Sequence, residues 1–154
     1  ATMTSSYDCT RGGLDSTNML VPTDQEVEDL FAYLTSLRPV PSPHLTSEGK
    51  LTEEAERGKV LFEGSAECSK CHSGTYFTDN KMHNVGVLSG NEPDGRYDTP
   101  SLIEAYRTAP YLHDGRALTL KDVLTVDNIK RSHGETDGLT DQEIDELVAY
   151  LLSL

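Results

Sequence analysis

Cys68-Ser69-Lys70-Cys71-His72 constrains this chain more than any other stretch. A Cys-x-x-Cys-His run is the attachment signature of a c-type haem. Two intervening residues let both thiols reach the two vinyl groups on one porphyrin edge, and the adjacent histidine is delivered to the iron as proximal ligand. A redox dithiol would want a βαβ context, and none is visible. A zinc site would want a second ligand pair, and only Cys9 remains. In an exported chain an odd cysteine reads as an intermolecular bridge, a partner in a missing segment or a free thiol, and nothing local decides between them.

The length of 154 residues suits one domain, or one domain plus a fragment, and a haem would supply much of the core in a chain with no Trp and three Phe. A formal net charge of −13 argues against nucleic acid, whose phosphates would be repelled, and favours a redox partner protein with a basic or carefully placed surface. No apolar run approaches the roughly 18 residues of a membrane span. Thioether attachment takes place outside the cytoplasm, so a periplasmic or extracellular location is expected, with an export signal removed upstream of Ala1.

Two segments repeat. Thr23-Asp24-Gln25-Glu26 opens one and Thr140-Asp141-Gln142-Glu143 the other, and both close on Ala-Tyr-Leu-x-Ser-Leu. Each begins with a capping box, and each carries an i, i+3, i+4, i+7 apolar stripe: Val27, Leu30, Phe31 and Leu34 in the first, Ile144, Leu147, Val148 and Leu151 in the second. The second copy stands where the last helix of a cytochrome c domain belongs. The first precedes the haem motif and has none of its own, so residues 1–38 are expected to be the tail of a preceding cytochrome-like domain. Pro39, Pro41 and Pro43 mark residues 39–51 as a linker. A monohaem domain over 52–154 is expected to be all-α. Its helices are predicted at Thr52 to Glu63, with Val60, Leu61 and Phe62 meeting the final helix and haem edge, at a start on Thr99-Pro100, and at Thr119 to Val126. No convincing sheet is predicted.

Several runs go beyond the haem motif: Phe77-Thr78-Asp79, His83-Asn84-Val85-Gly86, Thr99-Pro100-Ser101-Leu102, Thr108-Ala109-Pro110-Tyr111-Leu112-His113-Asp114-Gly115-Arg116, and Thr119-Leu120. With the final helix, these make 52–154 resemble the C-terminal domain of the bacterial di-haem cytochrome c peroxidase family, which includes the maturation enzyme of methylamine dehydrogenase. The resemblance implies that His113 lies at the haem edge near a propionate. It also implies that carbonyls matching Thr108 and Pro110 bind calcium between two haem domains, with further ligands from a domain mostly absent here. The family's distal Met or Tyr falls near Val126-Asp127-Asn128, where no good iron ligand stands.

The distal ligand therefore has several candidates. His133, on a loop before the final helix and followed by Gly134, leads; Met82, His83, His113, Met19, His44 and an open site are the alternatives. Arg96, Arg107 and Arg116 are candidate propionate partners, because a guanidinium meets a carboxylate bidentately. The leading expectation is electron transfer through one haem c. The alternatives are the relay half of a di-haem peroxidase-type oxidoreductase, whose second haem lies on another chain or a missing segment, and a docking or sensing module of a larger exported protein.

Overall fold

The computed structural model describes residues 22–86, 95–128 and 132–154. The chain divides into two compact units, Ala1–Arg38 and Pro39–Leu154. In the first, α1 (Asp24–Ser36) starts from Thr23, which accepts from the Glu26 N–H while the Glu26 carboxylate reaches back to Thr23. Within its own unit α1 buries none of its residues.

The second unit is built on α2 (Glu53–Glu63) and α4 (Asp141–Ser153). Both are capped by threonines, Thr52 and Thr140, as the sequence predicts. Gly58 lets them cross closely: a Cβ there would stand 1.9 Å from the Glu146 carbonyl oxygen. Phe62 and Leu147 are fully buried at the crossing, and the Phe62 ring meets Tyr150 edge-on at 5.2 Å. Arg57 Nε reaches Glu146 Oε1 at 2.7 Å across the same seam. Of the three residues expected to meet the final helix and haem edge, Phe62 is buried and Leu61 packs against the core, whereas Val60 is exposed.

Around this pair lie short elements. A 3-10 turn at Cys68–Lys70 carries the haem motif, and a second at Ala105–Arg107 contacts α4. Helix α3 (Leu120–Leu124) starts at Thr119 as predicted and ends earlier, where the Asp127 N–H turns back onto the Asp122 carbonyl. Two departures concern strands. Strands β1 (Met82–Asn84) and β2 (Arg96–Asp98) pair antiparallel, with His83 opposite Tyr97. No helix starts at Thr99-Pro100; Thr99 extends the ribbon by donating to the Lys81 carbonyl and accepting from Thr78 Oγ1 at 2.6 Å. Proline suits a strand exit as well as a first helical turn.

The segment read as a linker is fastened to its unit. The Val40 N–H donates to the Glu104 carboxylate, Tyr106 donates its hydroxyl to the Val40 carbonyl at 3.2 Å, and buried Ser42 donates to the Leu152 carbonyl at 2.5 Å.

Candidate haem site

A cavity of about 710 Å³ opens beside the α2–α4 core, within the usual range for cofactor sites. Cys68, Cys71 and His72 form part of its wall, and Ser132, His133 and Gly134 another part. Phe62, Leu102, Leu120, Val123, Leu124 and Leu151 make the wall largely apolar.

His72 is held through its ring. Its Nδ1 stands 3.1 Å from the Phe77 carbonyl oxygen, which places the N–H on Nδ1 and leaves the Nε2 lone pair for a metal. Burial lowers the pKa of His72, and burial together with the facing His72 takes that of His133 down to about 4. Burial thus disfavours the charged form of both rings, and the neutral form is the one that ligates. Their ring centroids lie 6.2 Å apart. Burial pushes the Cys68 thiol up to about 11 and raises that of Cys71.

The loop that presents His133 is clamped from two directions. Glu135 N–H donates to the Ala66 carbonyl at 3.0 Å, tying the loop to the chain just before the haem motif. Buried Asn128 donates from Nδ2 to the carbonyls of His133 and Gly134 and to Thr136 Oγ1, and its Oδ1 accepts the His133 N–H. Thr136 passes its own hydroxyl to the Leu124 carbonyl at the end of α3. Gly134 has φ +80° and packs where a Cβ would lie 3.0 Å from the Ala66 oxygen. Asn128 belongs to the stretch Val126-Asp127-Asn128 near which the resemblance puts the family's distal ligand, and sequence reasoning gave it no role of its own. Its signal, an Asn five residues before a His-Gly, is too weak to stand out.

The other distal candidates divide between the cavity wall and places apart from it. Met82 is exposed on β1 and forms no part of the cavity wall. His83 lines the cavity with its Nε2 2.8 Å from Asp79 Oδ2. His44 borders a separate hollow with Thr52, Glu54 and Asp145. Met19 and Cys9 lie outside the described residues.

His113 lines the cavity, stacked on Tyr97. The three arginines that are candidate propionate partners also bond protein groups. Arg96 donates to the Met82 carbonyl, Arg107 to Glu104, and Arg116 grips Asp114 through Nε at 2.8 and 3.1 Å. Thr108 and Pro110 border the cavity as well.

Comparison with known proteins fits this geometry. The model of the family described as cytochrome c matches residues 55–154. The chain belongs to the cytochrome c family. Such a domain carries its haem c covalently, and electron transfer is its chemistry. Among curated proteins it is 31% identical to hydrazine synthase subunit gamma of Kuenenia stuttgartiensis, over 83% of this chain and 48% of that protein. It is 36% identical to the methylamine utilization protein MauG of Methylorubrum extorquens, over 52% of this chain and 26% of that protein. It is 29% identical to the cytochrome-c peroxidase IdrP1 of Denitromonas iodatirespirans, over 68% and 41%. These relatives are consistent with the di-haem peroxidase and MauG-like family. The solved hydrazine synthase of Kuenenia stuttgartiensis superposes with a TM-score of 0.73 at 30% identity, covering 86% of this chain and 56% of that one. The chain spans about half the length of the first of these curated relatives.

Proposed function

We propose that this chain relays single electrons through one haem c held between His72 and His133. One observation carries the reading: two imidazoles face each other across an apolar cavity whose wall also presents both cysteines of the motif. His72 and His133, with ring centroids 6.2 Å apart, would be the residues that hold the iron. Cys68 and Cys71 would anchor the porphyrin edge. When bound, the haem supplies a ferric/ferrous couple. The protein's part is to hold both ligands, exclude water with Phe62, Leu120, Leu124 and Leu151, and keep the imidazoles uncharged.

His133→Ala tests the assignment. The ferric protein should change from low-spin to high-spin and gain affinity for small ligands such as cyanide. An unchanged low-spin spectrum would sink it.

A second reading, the relay half of a di-haem oxidoreductase, is favoured by α1. Its apolar stripe copies that of α4, yet Val27, Leu30, Phe31 and Leu34 are each more than half exposed within their own unit. Residues 1–38 then close a preceding cytochrome-like domain, and a second haem-bearing segment or chain is the redox partner. Calcium would need six to eight oxygens, so Thr108 and Pro110 supply at most part of its shell. No described helix is long and apolar enough to cross a membrane, and covalent haem implies an exported, periplasmic setting. Peroxide turnover by this chain alone at more than about 1 per second would favour the enzymatic reading over simple relay.

A further inference from the structure

The β1–β2 ribbon is a small structure to find beside a haem cavity. Strands of three residues gain little stability on their own. This ribbon sets His83 and Tyr97 opposite one another, and both line the cavity. Tyr97 is half-buried, while its strand neighbours Arg96 and Asp98 are exposed.

Against Tyr97 lies His113. The two rings are stacked at 4.0 Å between centroids and 18° between planes. His113 belongs to a loop closed by the Tyr111 N–H on the Ala117 carbonyl at 2.7 Å and by the Tyr111 hydroxyl on the Ala105 carbonyl at 2.8 Å. Leu112 before it and Gly115 after it both have positive φ, so the backbone bends sharply around the imidazole. Asp114 does not orient the ring. Its Oδ2 stands 3.9 Å from His113 Nε2, beyond hydrogen-bond reach, and is committed to Arg116. The flat stack therefore defines the plane of the imidazole.

We propose that Tyr97 is the positioning residue of His113, its ring holding the imidazole edge toward the cavity as a hydrogen-bond donor to an anionic group of the bound cofactor. The hydroxyl of Tyr97 is not needed for this; the aromatic face is. The proposal rests on the haem reading above. Losing a donor to an anionic group beside the iron leaves negative charge less compensated, which favours the ferric state.

The midpoint potential of the haem-loaded chain tests it. Tyr97→Leu and His113→Ala should each lower the potential, Tyr97→Phe should leave it near wild type, and the double variant Tyr97→Leu/His113→Ala should go no lower than His113→Ala alone. Additive shifts, or a wild-type potential in Tyr97→Leu, would overturn the proposal. If Tyr97→Leu does not load haem, the wild-type ferrous protein suffices. Its NMR spectrum should show contacts between the Tyr97 and His113 ring protons, and their absence would equally overturn it. Haem content by denaturing mass measurement reads the haem assignment separately, so the two failures are distinguishable.

Discussion

Asn128 holds His133 by its main chain: its Oδ1 accepts the His133 N–H and its Nδ2 donates to the His133 carbonyl, both at 3.1 Å. The same amide nitrogen reaches Thr136 Oγ1 at 3.0 Å. Asn128→Ala should therefore do two things. Unpaired buried groups should cost about 1–3 kcal/mol of stability, read from denaturant melts. The loosened loop should also raise the rate of cyanide binding to the ferric protein, read by stopped flow. Normal stability with normal ligand kinetics would remove Asn128 from the site.

Exchanging the distal residue for a thioether should move the potential upward. His133→Met keeps a ligand within reach of the same loop, and thioether sulfur favours ferrous iron. Redox titration reads the shift, and a potential at or below wild type would count against His133 on the iron.

The helix crossing tolerates nothing larger than hydrogen at position 58. A methyl there would overlap the Glu146 carbonyl and come within 2.9 Å of Tyr150 Cβ. Gly58→Ala should cost at least the roughly 1–3 kcal/mol of an overpacked core, despite alanine's better helix propensity. Thermal unfolding of the haem-loaded chain measures it.

Acid should weaken the same seam. Hydrogen bonds from Arg57 first, and then Gln142, hold the Glu146 carboxyl below its ordinary value of 4.5. A folded-state pKa below the unfolded one gives stability that is present above the unfolded value and lost as pH falls through the folded one. Stability should thus decline as pH drops below about 4.5. Glu146→Gln should flatten that part of the profile, and an identical slope in the variant would show that other carboxylates set it.

Much of this was legible in the chain itself. Thr52 and Thr140 announce α2 and α4 because capping is local chemistry, and Cys68, Cys71 and His72 announce their cavity because thioether attachment fixes their spacing. Gly58 was not legible. A glycine inside a helix looks like a weakness until the partner backbone is seen against it. The ribbon was missed because three-residue strands are too short to show a period of two, and the Thr99-Pro100 helix was predicted from a proline preference that strand ends share. Asn128 reads as an ordinary turn residue, since its partners lie five to eight positions away and meet it only once the loop has closed.

The Ala66 carbonyl, which receives the Glu135 N–H, joins the stretch before Cys68 to the loop bearing His133. Under the reading proposed here, that bond would keep His72 and His133 at one separation whichever oxidation state a bound haem held, so electron self-exchange of the haem-loaded chain should be fast and nearly insensitive to solvent viscosity.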